Sequence, residues 1–135
     1  MIEVKVRHQE FVKFEVSARQ HTLICDQPAD NCGTDEGMTP PELFLSAVAT
    51  CAAFYAVAYL KKKNISREGV QVRVTAEKVP APARLDQIRI EVDVPGGLSE
   101  ADHAGVTDAV HRCLIHNTLL HTPTIHIDVC TPVSA

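Results

Sequence analysis

The sequence predicts an α+β fold, and three patterns along the chain indicate it. Short segments in which apolar and polar residues alternate, as in half-buried strands, lie on both sides of a long apolar segment. That apolar segment is typical of a buried helix, and a second helix with a final alternating segment follows it. We therefore expect three strands, a long helix, two strands, a helix and a strand, paired mainly antiparallel in a single domain over residues 1–135.

The first three predicted strands lie close to the N-terminus. Apolar and charged residues alternate over residues 2–7 and again over residues 12–16, with a turn expected at residues 8–10. A short apolar run at residues 22–25 predicts the third strand. The stretch 26–38 is polar, acidic and rich in turn-forming residues, so we interpret it as a loop, either the border of a site or a plain surface connection.

The long helix has a clear start signal. Thr39 suits the N-cap, Pro40 suits the first helical position, and Glu42 stands three residues after the cap, as a capping box requires. The helix is expected to end near Lys63. Apolar side chains cover every face over residues 43–60, so this helix should be buried on all sides.

This apolar stretch is also at the lower limit of length for a membrane span. Seven of its eighteen residues are alanine or serine, and amphipathic strands flank it, so a protein core is the better interpretation and no membrane is expected. One small sheet and one partner helix would not cover all its faces. We therefore expect a homodimer whose subunits share one core.

The second half of the chain continues the pattern. Residues 70–75 and 88–94 alternate and predict a hairpin, with a longer connection stiffened by prolines. Ser99 suits the N-cap of a second helix, whose apolar face includes Cys113. A final strand is expected over residues 125–129.

Composition excludes several classes of function. The net charge is -4, both signs are interspersed and aromatic residues make up only 4%, so nucleic-acid binding is not expected. The N-terminal segment lacks the apolar core of a signal peptide, which predicts a cytoplasmic protein that starts near Met1. In a reducing compartment five cysteines favour redox roles over structural disulfides, although a free cysteine is often simply buried.

Cys51 lies in the middle of the long helix, and Cys113 lies on the apolar face of the second one. Both helices must pack against the same core, so the two thiols are expected to approach each other. A buried thiol among apolar groups is inert unless a cation stabilises its thiolate, and a carboxylate can hold that cation in place. The candidate groups are Arg19, Arg112 and Arg7 for the cation and Glu42 for the carboxylate.

Two segments carry a family resemblance. Residues 37–43 (GMTPPEL) with residues 49–52 (ATCA), and residues 113–119 (CLIHNTL), resemble the two cysteine signatures of the OsmC/Ohr family. These are the osmotically induced and organic hydroperoxide resistance proteins, and the order of elements is similar over nearly the whole chain. The resemblance implies antiparallel sheets around two central helices in an intertwined homodimer.

The resemblance also implies a function. In active members, the cysteine matching Cys51 attacks an organic hydroperoxide and becomes a sulfenic acid, and the one matching Cys113 resolves it to a disulfide that a dithiol reductant reduces. Arg19 would then stabilise the thiolate and Glu42 would orient the arginine. Glu42 lies nine residues before Cys51, one fewer than in the best-characterised branch, and Leu114 stands where a proline is usual.

Two other functions remain open: a non-catalytic protein that binds a small hydrophobic ligand in the dimer groove, and a redox sensor. No cofactor and no metal ion are expected, because Cys113 and His116 could form a zinc pair only with further ligands that the sequence does not place. Cys25 and Cys130 are interpreted as strand filler, and Cys32 as an exposed site of side oxidation.

Overall fold

The computed structural model describes residues 1–132 of the 135 and confirms the α+β class. A three-stranded antiparallel sheet has the order β1–β2–β3, and a separate antiparallel hairpin consists of β4 and β5. The strands are β1 (Lys5–Glu10), β2 (Lys13–Ala18), β3 (His21–Cys25), β4 (Gln71–Pro80) and β5 (Ala83–Asp93). The helices are α1 (Pro40–Lys62), α2 (Glu100–His111) and α3 (Leu114–Leu120).

Helix α1 begins where its start signal predicted. The Thr39 N–H donates to Glu42 Oε1 at 2.9 Å, and the Glu42 N–H donates to Thr39 Oγ1 at 3.4 Å. These two bonds form the expected capping box, with Pro40 as the first helical residue. The local sequence therefore determines the residue at which α1 begins.

The core lies between α1, α2 and the β4–β5 sheet. One face of α1 is buried at every fourth residue, and Ala56 and Leu60 on that face are 0% exposed. Val106 of α2 packs against them, and Val92 of β5 borders the cluster. By length and composition alone α1 could cross a membrane. Within this chain its burial is confined to one face, so the prediction of a helix buried on all sides is not met by a single chain.

The three-stranded sheet makes few contacts with the helices of its own chain in the part that the structure describes. Every residue of β1 is exposed.

The turn between β1 and β2 lies at Phe11 and Val12 and not at residues 8–10, where we predicted it. The earlier prediction was wrong because pairing continues to Glu10 and Lys13, and Phe11 takes the left-handed conformation (φ 49°) that closes a tight turn.

The β4–β5 hairpin also differs from expectation. Its two strands pair as far as Pro80 and Ala83, so only two residues connect them instead of a longer segment. The alternating residues of β4 end at Thr75, where a bulge between Thr75 and Glu77 shifts the pairing register. Beyond this bulge the two strands continue to pair. Pro80 stands at the end of β4, a strand position at which proline is tolerated.

Two predictions in the last part of the chain are wrong. The second helix ends at His111, so Cys113 does not lie on its apolar face but precedes a third helix, α3. Residues 125–129 form no strand; Ile125, Ile127 and Val129 are 76%, 85% and 86% exposed. An alternating segment becomes a strand only when another strand pairs with it, and the described chain provides none there.

The acidic loop at residues 26–38 is built around a buried carboxylate. Asp26 is 1% exposed and accepts hydrogen bonds from the N–H groups of Gln27 (2.8 Å), Glu36 (3.1 Å) and Thr34 (3.3 Å). The Thr34 hydroxyl lies 3.0 Å from Asp26 and also within reach of Glu36, so it donates to one of them at a time. The loop is therefore an ordered connection between β3 and α1.

We expect this loop to lose its anchor in acid. Burial opposes ionisation, but the N–H groups of Gln27 and Glu36 and the Thr34 donors outweigh it, so the pKa of Asp26 is lowered. Such a group stabilises the folded state above its unfolded pKa, about 4, and this contribution is lost as the pH falls through the lower folded value. Hydrogen exchange of the loop amides at about pH 6 and about pH 3 would measure the loss.

The control for this prediction is Asp26→Asn, which cannot ionise. Its loop should be less protected at the higher pH and should lose little more in acid. Hydrogen bonds from Thr34 and Lys13 also lower the pKa of Glu36, which acts in the same direction, so the variant isolates the share due to Asp26. Equal protection of the wild-type loop at both pH values would contradict the role assigned to Asp26.

Candidate functional site

Cys51 lies in the middle of α1, at the edge of its buried face. The next residue, Ala52, is 0% exposed, whereas the Cys51 side chain is only partly buried. Beside Cys51 lies an uncovered apolar face of α1, on which Phe54 is 69% exposed and Ala47 and Ala58 are exposed as well. A reagent from solvent can therefore reach the Cys51 thiol.

Cys113 is only 2% exposed and occupies the N-cap position of α3. Its backbone (φ -56°, ψ 133°) separates α2 from α3. Burial raises the pKa of the Cys113 thiol, and the neighbouring Cys51 thiol raises it further. The backbone N–H groups of His116 and Ile115 act in the opposite direction without cancelling the rise.

The structure brings these two thiols together. The Cys51 thiol is a neighbour of the Cys113 thiol and contributes to its raised pKa, where α1 packs against α3. Both cysteines are free. The arrangement places a partly exposed cysteine beside a buried one.

The single chain does not bring Arg19 to this pair. Arg19 lies in the exposed turn between β2 and β3, with a φ of 53°. Within residues 1–132 its side chain forms no hydrogen bond or ion pair. The sheet that carries Arg19 makes few contacts with the helices of its own chain in the described residues.

Glu42 is also separated from Cys51. Nine residues of α-helix place two side chains about 180° apart around the axis and about 13.5 Å apart along it. Glu42 is exposed, and Oε1 accepts hydrogen bonds from both the N–H and the hydroxyl of Thr39. These two donors lower the pKa of Glu42, with a smaller contribution from Lys78. In one chain Glu42 is therefore the acid of the capping box.

Of the three candidate cations, Arg112 lies nearest to the pair along the chain, because it directly precedes Cys113. It is exposed and lines a cavity of about 560 Å³ together with Tyr55, Leu114 and Asn117. Tyr55 lies one helical turn after Cys51 on α1. The sequence had named Arg112 only as one of three candidates, because its nearness to Cys51 depends on how α1 packs against α3.

The other cysteines have separate surroundings. Cys25 is 7% exposed in β3, and burial and the Asp26 charge raise its pKa, which fits the predicted filler role. Cys32 is exposed, as expected. Cys130 is exposed as well, so its interpretation as strand filler is wrong, because the strand does not form. Among residues 1–132 no three His, Cys, Asp or Glu side chains are grouped so that they could hold a metal ion.

Backbone groups near the pair are the part of the site that sequence reasoning missed. The N–H groups of Ile115 and His116 face the Cys113 sulfur because α3 begins there. The change from α2 to α3 leaves a weak signal in the sequence: no proline or glycine marks it, and the apolar pattern continues through it.

Comparisons with known proteins agree on one fold. The sequence profile of the OsmC-like protein family matches residues 33–128. One similar solved structure is a protein of Psychrobacter arcticus 273-4 named for osmotic stress induction and detoxification response, which is 21% identical in sequence. The structural match covers 87% of this chain and 88% of the other, with a TM-score of 0.79. An OsmC-like protein of Mycoplasma pneumoniae is 22% identical, and its match covers 90% of this chain and 89% of the other with a TM-score of 0.76.

A third solved structure is the organic hydroperoxide resistance protein OhrB of Bacillus subtilis, with 15% identity, 90% of this chain, 92% of the other and a TM-score of 0.62. No curated protein matches the chain. The structural likenesses establish the fold, and the family profile spans both cysteines of the pair and more than half of the chain. On this evidence the chain belongs to the OsmC-like protein family.

Proposed function

We propose that this protein reduces organic hydroperoxides with Cys51 and Cys113 as its redox pair. The observation that carries the proposal is the contact between a partly exposed Cys51 thiol and a buried Cys113 thiol. A two-step reduction requires one sulfur that meets the peroxide and a second sulfur that is protected until the first has reacted. Similar structures include a protein of organic hydroperoxide resistance, which supports the same class of substrate.

The chemistry balances with these two residues and a dithiol. The Cys51 thiolate attacks the terminal peroxide oxygen, the O–O bond breaks, and the alkoxide leaves and takes a proton to become an alcohol. Cys51 is now a sulfenic acid. Cys113 attacks its sulfur, an S–S bond forms, the S–O bond breaks and water leaves. A dithiol reductant then restores both thiols by exchange.

The different surroundings of the two cysteines support their order of reaction. The raised pKa of Cys113 keeps this thiol protonated and unreactive while the peroxide is present. Cys51 is the more accessible sulfur, so it meets the peroxide first. Once Cys51 is oxidised, the close contact gives Cys113 a high effective concentration at the sulfenic sulfur.

The test of this function is a titration with cumene hydroperoxide, followed by intact mass. One equivalent should remove two thiols and leave the wild-type chain two hydrogen atoms lighter, as an intramolecular disulfide. No loss of thiols at low peroxide doses would exclude a peroxidase.

A second candidate function, binding of a small apolar ligand without catalysis, is supported by one observation. A cavity of about 680 Å³ lies between the start of α1 and the end of the β4–β5 hairpin, with Pro41, Val79 and Leu85 in its wall. This volume lies within the range of ordinary ligand sites. The peroxide titration separates the two functions, because a binding protein would keep its thiols.

We also propose that the active form is a cytoplasmic homodimer. Three surfaces of the chain are uncovered and apolar: the β1–β2–β3 sheet, the face of α1 around Phe54, and the segment 125–129. Exposed apolar surface of this extent is typical of an interface. A second copy would cover it with the same elements, as symmetric dimers do.

In such a dimer Arg19 of one subunit would stabilise the Cys51 thiolate of the other. Arg19→Ala should therefore slow sulfenic acid formation about 10- to 100-fold. When refolded together, Arg19→Ala and Cys51→Ser subunits form mixed dimers with one complete site, so roughly a quarter of the wild-type rate should return. Arg67→Ala, at an exposed arginine between α1 and β4, is the matched control on the same chain.

Two outcomes would contradict this arrangement. One is an Arg19→Ala protein that reacts as fast as the wild type. The other is a mixture of the two variants that regains no activity, which would mean that Arg19 and Cys51 of different subunits do not meet.

A further inference from the structure

Cys113 must lose a proton before it can attack the Cys51 sulfenic acid, because the thiolate is the nucleophile. Its side chain is 2% exposed and meets almost no water. Burial also raises its pKa, so little thiolate is present at neutral pH. A base close to this thiol would accelerate the resolving step, and the surroundings of Cys113 contain a candidate.

His116 is that candidate. It lies one helical turn after Cys113, in the first turn of α3, and its backbone N–H faces the Cys113 sulfur. Its side chain is half-buried and lines a cavity of about 260 Å³ together with Val48. Val48 lies one turn before Cys51 on α1. The His116 imidazole therefore stands at the junction of the two helix segments that carry the redox pair.

His111 connects His116 to solvent. The two rings meet edge to face, with centroids 5.2 Å apart and an interplanar angle of 86°. His111 is exposed at the last residue of α2, and both rings line a second cavity of about 300 Å³. One ring is half-buried and the other is exposed, so a proton that leaves His116 for solvent would pass along this pair of rings.

The other titratable and charged groups around these residues do not block that path. Cys51 faces Cys113 from α1, and Arg112 precedes it in an exposed position. Asp86 of β5 and His103 of α2 each line a cavity with His116. In the described part of the chain no carboxylate hydrogen-bonds to or forms an ion pair with the His116 or His111 ring.

We propose that His116 takes the proton of Cys113 in the resolving step and exchanges it with solvent through His111. The neutral imidazole accepts the thiol proton, and the Cys113 thiolate attacks the Cys51 sulfur. The imidazolium then passes this proton through His111 to solvent, and the hydroxide that leaves as the S–O bond breaks takes a proton from solvent, so one thiol and one sulfenic acid give one disulfide and water. This role rests on the proposed function of the Cys51–Cys113 pair.

The test separates the resolving step from the reaction with peroxide. In a chain that carries Cys32→Ser and Cys130→Ser, dithiobis(nitrobenzoate) forms a mixed disulfide at the accessible Cys51 and releases one thionitrobenzoate. Attack by Cys113 then releases the second, and its rate can be followed by absorbance from about pH 5 to about pH 9. No peroxide takes part, so failure of the peroxidase chemistry leaves this measurement intact.

We expect His116→Gln to slow the second release about 10- to 100-fold near neutral pH. The wild-type rate should depend on pH in a way that the variant lacks, because the variant has no imidazole to take up the thiol proton. Added imidazole should restore part of the rate. His111→Gln should show a smaller loss, and His21→Gln, on an exposed strand far along the chain, is the matched control.

Three outcomes would overturn the proposal. The first is an unchanged rate and pH profile in His116→Gln. The second is a slower rate with the wild-type pH profile and no rescue by imidazole, which would show a merely structural role. The third is a wild-type chain that never releases the second thionitrobenzoate, which would also refute the Cys51–Cys113 pairing. His116→Asn replaces the glutamine variant if circular dichroism shows that the latter does not fold.

Discussion

Cys51→Ser should abolish peroxide reduction, with turnover falling at least about 10³-fold. A serine hydroxyl stays protonated at neutral pH and is a far weaker nucleophile toward a peroxide than a thiolate. The variant should keep its fold, because the Cys51 side chain is only partly buried and the change preserves its size. Steady-state consumption of cumene hydroperoxide with dithiothreitol as the reductant would measure the loss.

Cys113→Ser is the informative counterpart. It keeps the accessible nucleophile, so it should consume one equivalent of peroxide and stop with one oxygen atom added, as a sulfenic acid. Excess peroxide should then oxidise Cys51 further, to the sulfinic acid. Trapping with dimedone and intact mass would identify both products, and Cys32→Ser, at an exposed cysteine outside the pair, should behave as the wild type.

The outcomes of these two variants must differ if the proposed roles are correct. Equal loss of the first oxidation step in both would mean that Cys113 is not only a resolving thiol. Oxidation of Cys51→Ser at the wild-type rate would place the nucleophile elsewhere and refute the proposed function.

Leu60→Ala should destabilise the chain by about 3 kcal/mol, within the range of 2–5 known for buried leucines. Leu60 is 0% exposed and packs against Ala56 and Val106, with Val92 and Val94 at the border of the cluster. Removing its outer carbons leaves a cavity that the rigid contact between α1 and α2 cannot close. Urea unfolding at a constant protein concentration would measure the change, and the melting temperature should fall by roughly 10 °C.

Leu60→Met is the matched control for this prediction. It conserves the volume of the side chain and should cost less than about 1.5 kcal/mol. A loss below about 1 kcal/mol for Leu60→Ala would contradict the position of this residue at the centre of the core. Protein concentration must be the same throughout, because association of two chains would add to the apparent stability.

Local signals predicted the class of this fold and most of its elements. The capping box at Thr39 and Glu42 is formed by neighbouring residues, so the start of α1 could be read directly. The Ser99 cap of α2 is equally local: its side chain accepts a hydrogen bond from the Asp102 N–H. Strand ends were less predictable, because pairing with a partner strand, and not alternation, decides where a strand stops.

The final segment illustrates this limit. Residues 125–129 alternate as a strand should, but the described chain offers no edge for them to pair with, and they stay exposed. The same reasoning applies to the β1–β2–β3 sheet, whose register follows from its hairpins while its apolar face finds little cover in its own chain. Exposed apolar surfaces of this kind are typical of interfaces, and the alternating pattern in the sequence does not specify which partner covers them.

For the site, composition and motif spacing were enough to single out Cys51 and Cys113 and to connect them with a family of redox proteins. The packing of α1 against α3 was needed to show that the two thiols are neighbours, one partly exposed and the other buried. Along α1, Glu42 and Cys51 are nine residues apart and therefore lie on opposite sides of the helix. The physical reason is that spacing along a chain reports which face a residue occupies, whereas reactivity depends on burial and on neighbours from other elements.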